Sequence, residues 1–131
     1  MNAPHAKAAA AYRAATLENA PPLKIVVLLY EGAIRFLERA RRLDPDAESV
    51  EFINQLSRAD RIICELRFSL NNEPAPELTA ELERLYLFCE EEISTAMQER
   101  TVTPIPGCID VLSKLLLGWR GIESTNRKDA A

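Results

Sequence analysis

The chain has 131 residues, 47% of them hydrophobic and 27% charged, which suits one domain with its own core. Its formal net charge of −4 argues against non-specific binding to nucleic acid or to an anionic membrane. The N-terminus shows no basic region followed by a long apolar run, so no secretory signal is read there, and Cys64, Cys89 and Cys108, without CxxC spacing, read as reduced thiols of a cytoplasmic protein.

Residues 1–18 are alanine-rich and read as a mobile N-terminal arm with some helical tendency, whose core-forming side chains are Tyr12 and Leu17. Asn19-Ala20-Pro21-Pro22 starts a helix, since proline fits a first turn. That helix is predicted over about 22–42, ending in Arg39, Arg41 and Arg42, whose charges suit a helix C-terminus. After the turn Leu43-Asp44-Pro45-Asp46, a second helix is predicted over about 46–70. Its apolar positions Phe52, Leu56, Ala59, Ile63, Leu66 and Leu70 alternate spacings of four and three. Asn71 to Pro76 breaks it. A third helix over about 76–99 is read on Leu78, Leu82, Leu85, Cys89, Ile93 and Ala96. Thr103 to Gly107 breaks the pattern again, and a fourth helix over about 107–123 carries Ile109, Leu112, Leu116 and Trp119. Residues 124–131 read as a disordered tail. No segment alternates apolar and polar residues as a half-buried strand does, so the expectation is a single all-α domain: an antiparallel four-helix bundle with an N-terminal arm or short helix.

The first helix is unusually apolar, with six hydrophobic residues in a row from Ile25 to Tyr30. That run is far shorter than the roughly 20 residues needed to cross a bilayer, so membrane insertion is not expected. At about 100° per residue, Val26, Tyr30, Ala33, Leu37 and Ala40 define its core line. Ile25, Leu29, Gly32 and Phe36 widen the apolar sector on one side, and Leu23, Val27 and Ile34 on the other, to about 220°, roughly twice an ordinary amphipathic stripe. Leu28 falls outside even this arc, among Lys24, Arg35 and Arg39. Phe68 and Leu87 likewise point away from the core lines of their helices, and Val111 and Ile122 lie off theirs. Val27 and Ile34 read as packing against neighbouring helices; Leu28, Phe68 and Leu87 read as surface for a helical partner lying in a groove.

Chemistry finds little support. Glu90-Glu91-Glu92 cannot converge on one ion, because consecutive helix positions diverge by about 100°. The predicted helices hold no histidine, His5 lies in the arm, and no nucleotide-binding or hydrolase motif occurs. The residues point to a helical binding protein without cofactor or metal, and not to an enzyme.

Several segments resemble a known family. Leu29-Tyr30-Glu31-Gly32-Ala33-Ile34-Arg35-Phe36-Leu37 is similar to the LYDGAIRFL signature of the flagellar secretion chaperones (FliS). Arg58-Ala59 with Ile62-Ile63-Cys64-Glu65-Leu66-Arg67-Phe68-Ser69-Leu70 resembles the RAxxIIxELxxSL segment of that family. Leu85-Tyr86-Leu87-Phe88-Cys89 resembles LYDYM, Gly118-Trp119-Arg120 resembles AW(K/R), and Tyr12 takes the place of the arm's tyrosine. The chain departs from the pattern at Asn19-Ala20-Pro21-Pro22, where TASP is usual, at the proline-rich Asn71–Pro76, and at Leu87, where the family has aspartate. It looks like a divergent member. The resemblance implies a cytoplasmic export chaperone that binds the C-terminal helical segment of flagellin, prevents premature polymerisation and delivers it to the flagellar export apparatus, with the export gate as a further partner. The alternative is a helical adaptor or regulator of another protein client. The partner-binding groove is expected to involve Tyr12, Ile25, Leu28, Leu29, Ile62, Phe68 and Tyr86, with the Tyr12 arm lying over part of it.

Overall fold

A computed structural model describes residues 22–70 and 75–130, with side chains as far as 125. Tyr12 and its arm lie outside the described residues. The described residues form four helices and no strand: α1 (Leu23–Arg41), α2 (Ser49–Phe68), α3 (Pro76–Glu99) and α4 (Ile105–Ala130). Each helix packs on the next in sequence, and α4 closes the ring against α1. The pairs α1/α3 and α2/α4 are therefore diagonal, as in an antiparallel up-down bundle with short connections.

Local chemistry sets most of the helix ends. The Pro22 carbonyl accepts the first bonds of α1, from the amides of Ile25 and Val26 at 2.8 and 3.1 Å. The second helix begins at Ser49, later than the 46 read from sequence, because Asp44 and Glu48 close a turn in front of it. The Asp44 carboxylate accepts the amides of Asp46 and Ala47, while Glu48 Oε1 accepts the Asp44 amide at 2.9 Å. Those backbone donors hold the Asp44 carboxyl below its ordinary pKa. Pro76 opens α3 at its first turn, and Arg100, at φ 51 and ψ 58, closes it in the left-handed conformation with the Thr101 amide bonded back to the Ala96 carbonyl at 3.1 Å.

The fourth helix starts at Ile105, two residues before Gly107, and runs on to Ala130 where the sequence reading ends it at about 123. No proline follows Pro106, and a helix already nucleated propagates without core contacts. The expected disordered tail therefore begins, within the described residues, as helix.

Core lines on α1 and α2 match the periodicity: Val26, Tyr30, Ala33, Leu37 and Ala40, and Phe52, Leu56, Ala59, Ile63 and Leu66, are all buried. On α3 the line is Thr79, Leu82, Tyr86, Cys89, Ile93 and Ala96. Leu78 and Leu85, chosen from sequence, stand one position off it; Leu78 is exposed and Leu85 only partly buried. Preferring leucine over threonine and tyrosine shifted the reading, whereas the 3-4 spacing through Thr79 and Tyr86 is the regular one. On α4 the core is Ile105, Cys108, Leu112, Leu115, Leu116 and Trp119, with Ile109 partly buried.

Candidate functional site

The centre of the bundle is aromatic and polar at once. Tyr30 on α1 and Tyr86 on the diagonal α3 meet hydroxyl to hydroxyl at 2.5 Å, both fully buried. The Tyr30 ring also lies 5.8 Å from that of Trp119 in a tilted contact. Tyr86 is thus a core residue, and the expectation that it lines a partner groove is corrected. A phenol is buried only when its hydroxyl finds a partner, and Tyr30 supplies the hydrogen bond that lets Tyr86 go inside.

The α1–α2 face gathers four of the expected residues. Phe36 lies 5.8 Å from the Arg58 guanidinium, and four residues earlier on α1, Gly32 faces Ile62, four residues later on α2. A Cβ at Gly32 would stand 3.4 Å from Ile62 Cδ1, so glycine lets the two helices approach closely. Continuing this antiparallel register brings Ile25, Leu28 and Leu29 level with the C-terminal turns of α2. Leu29 and Ile62 are partly buried against the core, while Ile25 and Leu28 are 41% and 51% exposed. The result is an apolar strip, half sunk between the helices, bordered by Lys24, Arg35 and Arg39. Val27 is buried in the bundle and Ile34 is partly buried against it, both on the opposite flank of α1.

Phe68 is the most exposed aromatic side chain described, at 75%, yet it is not on this strip. Six residues on from Ile62, it is turned about 120° around α2. Its ring lies 4.6 Å from the Arg67 guanidinium, on the outer side towards α3. Arg67 Nε and Nη2 in turn donate to both oxygens of Glu90 on α3, at 2.5 and 3.1 Å, a two-point ion pair. Glu90 is therefore tied between α2 and α3. The Cys64 thiol donates to Glu90 at 3.1 Å, and Asp60 is adjacent. Burial, reinforced by that bond, pushes the Cys64 thiol up to about 12, and burial with the nearby Glu90 charge raises Asp60. Ligand atoms of Asp60, Cys64 and Glu90 come within 4.8 Å of one another. The guanidinium of Arg67 already supplies the positive charge in this cluster, so the arrangement is a complete interhelical polar network.

Sequence reasoning missed the groove between α1 and α4. It is open to solvent, has a volume of about 690 Å³, and is lined by Glu31, Ile34 and Arg35 from α1 and Ser113, Lys114, Leu116, Leu117 and Arg120 from α4. An ion pair between Arg120 and Glu31, 2.6 Å apart, bridges the two helices along it. Leu117, 56% exposed, is the signal in the sequence that went unused: it lies off the core line of α4 beside Ser113 and Arg120.

No described helix is long and apolar enough to cross a membrane. Residues 5–126 match the family described as flagellar protein FliS. The chain is 29% identical over 103 residues to the flagellar secretion chaperone FliS of Campylobacter jejuni subsp. jejuni serotype O:6 (strain 81116 / NCTC 11828), a similarity covering 79% of this chain and 80% of that relative.

Proposed function

The chain belongs to the FliS family of flagellar proteins, and from that premise we propose that it is a cytoplasmic export chaperone that holds the C-terminal helical segment of flagellin. The observation that carries this reading is the strip Ile25–Leu28–Leu29–Ile62. Two of its side chains stand in solvent and two lead down into the α1–α2 seam, which is the form of a groove for the apolar face of an amphipathic helix. Capture covers the apolar face through which the client would otherwise associate with its own kind, and release at the export apparatus, with the export gate as second partner, uncovers it. No nucleotide or metal enters this scheme. Tyr12 is proposed to approach the same strip from the arm, and Phe68 to touch a further part of an extended client on the outer face of α2.

Titration calorimetry of the full chain against a flagellin C-terminal peptide tests the reading. Saturable binding tighter than roughly 10 µM, with the negative heat-capacity change of apolar burial, is expected. Leu28→Asp should weaken it by about tenfold or more while the helical circular dichroism is unchanged, since Leu28 is not part of the core. Absence of saturation with the wild-type chain would refute the assignment.

A further inference from the structure

The α1–α4 groove is separate from the strip assigned to the client, because it lies on the opposite flank of α1. We propose that it is a second docking site, for an amphipathic helix whose apolar residues are flanked by carboxylates.

Shape and charge both support this occupant. Along α4 the lining runs from Ser113 to Arg120, about two helical turns or roughly 10 Å. That length accepts two apolar side chains spaced three or four residues apart on a partner helix, seated against Ile34, Leu116 and the exposed Leu117. The charged lining is lopsided: Arg35, Lys114 and Arg120 against Glu31 alone. The Glu31 carboxylate is already engaged by Arg120, and Lys114 reaches Asp110 at 3.0 Å on the outer side, where both side chains are 62% exposed and readily exchange partners. This basic rim is set on an acidic chain and is local in origin. Described α1 residues 23–41 carry Lys24, Arg35, Arg39 and Arg41 against Glu31 and Glu38, whereas α3, diagonally opposite, carries seven glutamates and one arginine. The bundle is thus electrically polarised across its diagonal, and the α1 side attracts an acidic segment over a distance comparable with the Debye length, about 8 Å at physiological salt.

The test uses the full ¹⁵N-labelled chain and two synthetic helical peptides of about 18 residues, or five turns. They share leucine anchors at i, i+3, i+4 and i+7; one has glutamate and the other lysine at the flanking positions. The glutamate peptide should saturate shifts of the Ile34, Leu116 and Leu117 amides and bind roughly tenfold more tightly than the lysine peptide, weakening several-fold as salt is raised. Arg35→Glu with Lys114→Glu should abolish that preference, and Leu117→Asn should weaken binding of the glutamate peptide. Leu28→Asp should leave this groove's binding intact, so loss of flagellin-peptide binding and loss of this site are distinguishable. Equal affinity for both peptides, shifts confined to the α1–α2 strip, or a dimer of this chain mapped by sedimentation and shifts onto the groove would overturn the proposal.

Discussion

Replacing Tyr86 by phenylalanine keeps the ring in the bundle centre and removes one hydroxyl of the Tyr30–Tyr86 pair. Both residues are fully buried, so the surviving Tyr30 hydroxyl loses this partner in a region without bulk water. Loss of a buried hydrogen-bond partner costs about 1–3 kcal/mol, whereas removing both members of a pair together is close to neutral. Each single variant, Tyr30→Phe or Tyr86→Phe, is therefore expected to lose about 1–2 kcal/mol. A chain of this size should then melt about 3–8 °C lower. The double variant should lose less than the two singles combined, with a coupling of about 1 kcal/mol. Urea and thermal unfolding followed by circular dichroism measure all four corners of the cycle, and a domain under 150 residues ordinarily meets the two-state condition. Additive losses would refute the central hydroxyl contact. A second readout separates core from surface: Tyr86→Phe should leave flagellin-peptide affinity unchanged. Loss of affinity without loss of stability would return Tyr86 to the binding face.

Phe68→Asp should retain the native circular dichroism spectrum, because the ring is three-quarters exposed and contributes nothing to the central core; a collapsed fold would contradict that placement. Cys64, raised to about 12, should alkylate roughly a thousandfold more slowly at pH 8 in the native chain than in urea, because the thiolate is the reactive species. Mass spectrometry locates the label, and equal rates would refute the shift. A thiol whose folded pKa exceeds its unfolded value binds its proton more tightly when folded, so its contribution to stability is present below about pH 9 and is lost as pH rises towards 12. Cys64→Ser should remove that portion of the alkaline loss. Arg100→Gly should raise stability by about 0.5–1 kcal/mol, as relief of the left-handed Cβ contact exceeds the added chain entropy. Arg100→Ala should give no gain, and an equal gain from alanine would show that no backbone strain is relieved.

Periodicity made the bundle legible because helix geometry converts sequence spacing directly into angle. The α1 wheel assigned Val26, Tyr30, Ala33, Leu37 and Ala40 to the centre and left Leu28 outside, and both follow the burial in the structure. The same wheel cannot see what stands across the bundle. Tyr86 belongs inside only because Tyr30 meets it from a helix 56 residues away, and Glu90 is tied down only because Arg67 reaches it from α2. The α1–α4 groove escaped notice for a related reason: Ile34 and Leu116 read as ordinary interface residues, and the groove they line is built from two helices far apart in the sequence.

The breadth of the apolar sector on α1 acquires a specific meaning from these placements. A bundle helix needs a core line and two flanks, one for each neighbour, and that alone accounts for Val27, Ile34, Leu29 and Phe36. It does not account for Ile25 and Leu28, which extend past the α2 flank into solvent, nor for Leu117, which extends the α4 side of the other flank. The surplus therefore occurs on both borders of one helix, each edged by Arg35, the residue that faces the basic outer side between them. A single extended client crossing α1 could fill both grooves in succession, and linkage through a short connection would multiply the two affinities by an effective concentration in the millimolar range. Joining the flagellin C-terminal peptide to the glutamate peptide by a flexible linker should then bind far more tightly than either alone. Arg35→Glu, placed between the two sites, should weaken the joined ligand more than Lys114→Glu, which borders only one; equal losses would show that the sites act independently of the face between them.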